Sequence, residues 1–354
     1  MNMPPLRHWL LGLALSLAVA WAAGALFLDT VQPLALDPSV GRYVAMPGTV
    51  SRTRSEGWAI SRVGERGIRG LPGGKLPEGP KVVFQGDSFV EGLQVDDAER
   101  MAQVFTRMAN QAGLALSGVG IGHGGDSLID SFFRLADYTP VLGPVALQVM
   151  ILGRIEEVLP DTSRPCRSRF VSSPEFQLER VDCPPSSLGL RLAEPLRILE
   201  LSAGFEIFLK IQRVTLRLTP KLPPTSPGPY VPAPEASQDA ACDYLLARIR
   251  EQARGPVLLL HVPKVPRLAS GRVRLDDPQA ALAQVVGRAC ARNKVPFVDL
   301  GPAFIANFQA TGNFPRGFFN SPPGTGHLNE EGHRLVAEAV LKYVKEHRDA
   351  LLAP

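Results

Sequence analysis

A chain of 354 residues with 45% hydrophobic content can bury a full core as one or two domains, which excludes a disordered or fibrous protein. Its formal net charge of +4 comes with no basic stripe interleaved with aromatics, which argues against nucleic acid as a partner. The 33 prolines and 33 glycines imply many turns, and they cluster where linkers are expected.

From the amino end, Trp9 to Leu28 carries no charge and is long enough to cross a bilayer as a helix. Arg7 precedes this run and Asp29 follows it, so the positive-inside rule keeps the amino terminus in the cytoplasm and puts the remainder outside, periplasmic or extracellular. Ala18-Val19-Ala20 resembles a signal-peptide cleavage site, but the apolar run continues through Leu28, which favours an uncleaved single-pass anchor. Residues 1–29 are read as anchor or signal segment, 30–80 as an extracytoplasmic lead-in, and 81–350 as the main domain with an insertion at about 160–239.

Five short apolar, β-branched runs follow: Lys81 to Gln85, Leu114 to Val119, Val145 to Leu152, Pro256 to Val262 and Pro296 to Leu300. Helical patterns separate them, and that alternation predicts a three-layer α/β/α sandwich around a five-stranded parallel sheet. The first run stops at Gly86-Asp87-Ser88, which sets a serine hydroxyl at the carboxyl edge of the sheet, where such folds keep their chemistry. Ser88 is the candidate nucleophile, with Asp87 stabilising the turn around it.

The second run leads into GVGIGHGGDS, Gly118 to Ser127, a turn rich enough in glycine for its N–H groups to approach an oxyanion. Ser127 in a second Gly-Asp-Ser is read as a cap of the next helix. His123 is read as a solvated loop residue, and His261 and His333 as structural.

The insertion holds Cys166 and Cys183, which as a disulfide would close a loop of about 18 residues and contribute on the order of 3 kcal/mol. Cys242 and Cys290 read as buried thiols, although three pairings of the four cysteines are open. Between residues 196 and 237 an apolar run and a proline-rich tract follow one another, the first a candidate amphipathic helix packed on the domain, with the mouth of the sheet, a partner or the membrane surface as alternatives, the second a stiff or disordered linker. No spacing suggests a metal site, and no cofactor is expected.

Near the carboxyl end, His327 in GTGHLNEEGH precedes an apolar-periodic run that predicts a final helix. From that loop an imidazole can reach the sheet edge and take a proton from a serine.

The Gly-Asp-Ser block near the start, the histidine block near the end and the Gly-x-Arg-Gly lead-in at Gly67 to Gly70 together resemble the SGNH (GDSL-like) hydrolases, in the type found anchored in bacterial cytoplasmic membranes. The likeness runs roughly from Trp58 to Tyr343. It implies a flavodoxin-like strand order, 2-1-3-4-5. It also implies Ser88 and His327 as catalytic pair and the backbone N–H groups of Ser88 and Gly122 as oxyanion donors. Arg154 stands where the family carries an oxyanion asparagine, and Thr325 and Gly324 stand where it carries the triad aspartate. Three readings of the missing acid remain open: a Ser-His dyad, Asp299 recruited from the end of the fifth strand, or a degenerate site. The function implied is a serine esterase or O-acyltransferase acting on acetyl esters of cell-envelope or exported polysaccharide, so the expected partners are an acylated carbohydrate or other ester and the membrane. The alternative is a non-catalytic module binding glycan or a partner in an export assembly.

Overall fold

The computed structural model describes residues 5–30, 32–153, 168–173, 175–181 and 235–352. Arg154, Cys166, Cys183, the apolar run and the proline-rich tract up to residue 234 lie outside them. Helix α1 (Leu6–Phe27) leads the chain; its stretch Leu6–Gly24 is long and apolar enough to cross a membrane, and apart from Gly24 at its end none of that stretch is buried. Two antiparallel hairpins come next: β1 (Leu34–Asp37) with β2 (Arg42–Ala45), and β3 (Val50–Thr53) with β4 (Ala59–Arg62). Thr53 pairs with Ala59, so residues 54–58 form the tip of the second hairpin.

The central sheet begins with β5 (Lys81–Gly86), buried along its whole length, followed by α2 (Ser88–Glu91), α3 (Met101–Gln111), β6 (Ser117–Gly122), α4 (Leu128–Leu142) and β7 (Val145–Leu152). A hairpin, β8 (Arg169–Ser173) with β9 (Glu175–Glu179), precedes α5 (Glu235–Gln252) and β10 (Val257–His261). The chain continues through β11 (Arg267–Ala269), β12 (Arg272–Arg274), α6 (Ala280–Arg292), β13 (Phe297–Asp299), α7 (Gly301–Thr311) and α8 (Glu330–Glu346).

Strands β5, β6, β7, β10 and β13 form one parallel sheet in the order β13-β10-β7-β5-β6. Counted as five, that is 2-1-3-4-5, the order the resemblance implies, with its switch point beside β5. Side chains alternate between the two faces of the sheet. Val82, Phe84, Leu147, Val149, Leu258 and Leu260 pack with residues of α3, α7 and α8, whereas Met150, Leu152, Val257 and Leu259 pack with α4, α5 and α6. The result is a three-layer α/β/α sandwich.

Capping fixes where the helices around the site start. The Asp87 carboxylate accepts the Phe89 amide at 3.0 Å and so opens α2 directly at Ser88. Ser127 and Asp130 form a reciprocal capping box at the start of α4. Asn329 opens α8 by accepting the Gly332 amide, while its own amide donates to Phe314 and Gly317 carbonyls. Cys242 and Cys290 are free thiols buried between α5 and α6, and burial pushes each up to about 12, which leaves them inert.

Candidate active site

Ser88 is the first residue of α2, immediately past the carboxyl end of β5, and its backbone N–H belongs to the first turn, where no intrahelical carbonyl is available. His327 comes from the loop that enters α8, and its Nε2 lies 3.0 Å from Ser88 Oγ. The other ring nitrogen, Nδ1, lies 2.5 Å from Glu56 Oε2. An ionised carboxylate can only accept, so Nδ1 carries the hydrogen and Nε2 is left free to accept from the serine hydroxyl. Glu56 also accepts the His327 backbone amide through Oε1 at 2.9 Å, and this second bond fixes the carboxylate in the plane the imidazole needs. Burial alone would raise the Glu56 carboxyl, but hydrogen bonds from the His327 ring and amide outweigh it and hold the group below its ordinary value.

Asp299 is not the acid that faces His327. It ends β13 beside β10, and that register puts it against His261, with Oδ1 3.3 Å from His261 Nδ1, while Oδ1 also accepts the Gly301 amide. The carboxylate on His327 comes instead from the tip of the β3–β4 hairpin, in the lead-in. Its sequence signal was weak: a lone glutamate in Arg54-Ser55-Glu56-Gly57, a hairpin-turn composition. Gly326 records the pairing from the other side. It sits at φ +70°, and a Cβ there would stand 2.0 Å from Glu56 Oε1, so only glycine lets the carboxylate approach.

Asn320 secures the hairpin tip. Its Oδ1 accepts the Gly57 amide at 2.8 Å, and its Nδ2 donates to the carbonyls of Arg54 and Gly57 at 2.8 and 3.1 Å. Beneath the imidazole, Phe89 presents its ring edge-on to His327 with centroids 5.9 Å apart. The Arg316 guanidinium lies 4.6 Å over the other part of this stack, the Phe89 ring, and donates to the Val262 carbonyl at 2.7 Å. Burial pushes Arg316 down to about 10, opposed by Asp87 and Asp277, so it remains a cation at neutral pH.

The glycine-rich loop after β6 comes to the same edge. A Cβ on Gly122 would overlap the Glu91 amide nitrogen at 2.0 Å, which shows how tightly the loop is pressed against α2. Gly124 is the residue whose Cβ would reach contact distance, 4.0 Å, from the Ser88 side chain. Its amide donates to Glu91 Oε2 at 2.8 Å, and Glu91 Oε1 faces buried Arg69 at 3.6 Å. His123 is exposed and pairs with Asp126, His333 is buried in α8, and His261 is buried in β10. Among the described residues no group of three or more His, Cys, Asp or Glu side chains could hold a metal ion.

No family profile matches the chain, and no curated protein matches it. Solved structures with a similar arrangement include the acetyl xylan esterase AlAXEase, at 15% identity over 75% of this chain and 99% of that one, with a TM-score of 0.41. TesA is similar at 15% identity over 76% and 99%, with a TM-score of 0.41. A mutant of Axe2, an acetyl-xylooligosaccharide esterase from Geobacillus Stearmophilus, is similar at 14% identity over 76% and 95%, with a TM-score of 0.39. Likenesses of this size leave function to be argued from the site.

Proposed function

We propose that this protein is a serine ester hydrolase or O-acyltransferase, with Ser88 as nucleophile, His327 as general base and Glu56 as the acid that orients the imidazole. The observation that carries this reading is the unbroken chain Glu56 Oε2, His327 Nδ1, His327 Nε2, Ser88 Oγ, with steps of 2.5 and 3.0 Å. A binding module has no need for a carboxylate aligned on a histidine that is itself aligned on a serine.

In the proposed reaction Ser88 Oγ attacks the ester carbonyl while His327 Nε2 takes its proton. The tetrahedral oxyanion is held by the Ser88 amide at the start of α2 together with the Gly122 amide at the end of β6. His327 then passes the proton to the departing alkoxide, and the alcohol leaves an acyl-serine. Water, deprotonated by the same imidazole, releases the acid and makes an esterase; a sugar hydroxyl in its place makes a transferase. Glu56 stays ionised throughout and stabilises the imidazolium.

We place the site outside a cytoplasmic membrane, anchored by α1, and infer acetylated envelope or exported carbohydrate as substrate; the apolar span and the sequence resemblance support that placement. The test is covalent labelling by a fluorophosphonate probe and hydrolysis of p-nitrophenyl acetate. Labelling lost in Ser88→Ala and kept in Ser127→Ala is expected. A folded protein that neither labels nor hydrolyses would return the fold to a binding role.

A further inference from the structure

The end of α1 and the loop that carries Glu56 are joined. The Arg54 guanidinium donates from Nε to the Leu26 carbonyl at 3.1 Å and from one terminal nitrogen to the Thr53 and Ala59 carbonyls at 2.9 Å each, so one side chain ties the last turn of α1 to both sides of the hairpin tip. Asp29, just past the helix, accepts the Ser55 amide at 3.0 Å and also the Arg54 amide. Thr30 and Arg52 exchange two further bonds, of 2.7 and 3.1 Å.

Aromatic side chains surround this joint and face solvent. The Trp58 ring meets Phe27 edge-on at 6.0 Å, with the Arg54 guanidinium 4.2 Å over its face, and Trp58 is 47% exposed. Phe319 lines the same groove as Trp58, a depression of about 620 Å3, and is 81% exposed. That exposure does not come from a slack loop, because the neighbouring Asn320 is held to the hairpin tip by three hydrogen bonds. A rigidly presented phenylalanine in open water is unfavourable unless something apolar covers it.

Depth along α1 says what covers it. The span Leu6–Gly24 at about 1.5 Å per residue is about 28 Å long, close to a bilayer's hydrocarbon thickness. Phe27 lies three residues further, about 5 Å beyond the hydrocarbon edge, within the headgroup layer where tryptophan and arginine are favoured. Trp58 and Arg54 touch the helix at that level.

We propose that Trp58 and Phe319 seat in the headgroup region of the membrane that α1 crosses, so that the Glu56 hairpin and the triad work at the lipid surface. The inference rests on the anchored reading of α1. It goes beyond that reading because an anchor alone would allow the domain to float free on the segment after α1.

The test is depth-dependent quenching of tryptophan emission in the full chain, reconstituted in phosphatidylcholine vesicles containing phosphatidylglycerol. Trp9→Phe with Trp21→Phe leaves Trp58 alone; Trp9→Phe with Trp58→Phe leaves Trp21 inside α1. Replacing all three and adding Phe319→Trp gives a second reporter at the rim. Circular dichroism melts confirm that each variant folds.

Trp58 and the Phe319→Trp reporter are expected to lose emission to lipids brominated near the headgroup and to be shielded from aqueous acrylamide. Quenching of both by acrylamide alone, while Trp21 is quenched by lipids brominated deeper in the chains, would overturn the proposal and leave the anchor intact. If Trp21 too escaped every brominated lipid, the anchor and the proposal would both fall, and hydrolysis of p-nitrophenyl acetate would report separately on the esterase reading.

Discussion

The molecule holds two histidine–carboxylate pairs at the same edge of its sheet, and only one has a serine hydroxyl in line with it. His327 and Glu56 stand 2.5 Å apart, both partly open to solvent, with a serine hydroxyl 3.0 Å beyond. His261 and Asp299 stand 3.3 Å apart; His261 is fully buried, and neither of its ring nitrogens has a well-formed hydrogen bond among the described residues. The second pair comes from neighbouring strands in register, the first from two loops brought together across the chain. Proximity of an acid and a base is common where parallel strands end. What makes a pair reactive is a third group in line, a defined tautomer and access for substrate.

The comparison breaks first at the serine and the base. Ser88→Ala and His327→Ala should each lower hydrolysis of p-nitrophenyl acetate by about 10^4-fold or more, read as kcat/KM. Glu56→Gln should cost about 10^2- to 10^4-fold, mostly in kcat, because the amide can present its N–H to Nδ1 and favour the wrong tautomer. A Glu56→Gln enzyme with unchanged kcat would reduce the site to a dyad. Gly326→Ala pushes a methyl into the Glu56 carboxylate from a left-handed backbone, and a displacement of that size should cost roughly 10^2-fold in kcat.

A third histidine sharpens the contrast through stability. Burial pushes His333 down to about 3, helped by the nearby charges of Arg100 and His327, and its Nδ1 accepts the Met101 amide at 3.2 Å. The folded state therefore holds it neutral while the unfolded chain binds a proton below about 6.5. Its contribution is intact above pH 6.5 and falls by about 1.4 kcal/mol per pH unit down to about pH 3. A His333→Gln variant should lose less melting temperature between pH 7 and pH 4 than the parent; an equal loss would mean that other groups dominate. The smallest effect belongs to the second pair. Asp299→Asn should leave kcat within about twofold, since Asp299 faces His261 and not the His327 beside Ser88, and a loss matching that of Glu56→Gln would erase the distinction between the pairs.

How far the sequence carried this picture depends on the range of each signal. Strands β7 and β5 match their predicted bounds to within a residue because a strand buried on both faces is an uninterrupted apolar run. Strand β6 was expected at Leu114 to Val119 but forms at Ser117–Gly122. Leu114 and Leu116 are buried anchors ahead of it, and its own glycines carry little strand propensity. Ser88 and His327 were legible because each sits at a local boundary, a strand end and a helix entry. Glu56 was not, since its role exists only in a contact across 271 positions. The sequence held its negative image: a glycine before the histidine and no acid in the two positions preceding that glycine.

That span of 271 positions has a consequence for biosynthesis. Ser88 and Glu56 lie in the first third of the chain and His327 close to its end, so a polypeptide emerging amino end first carries both long before the imidazole arrives. The Asn320 latch on the hairpin tip is equally late. Until the final loop closes, Ser88 has no imidazole beside it, so on the proposed mechanism a nascent or truncated chain is silent toward esters.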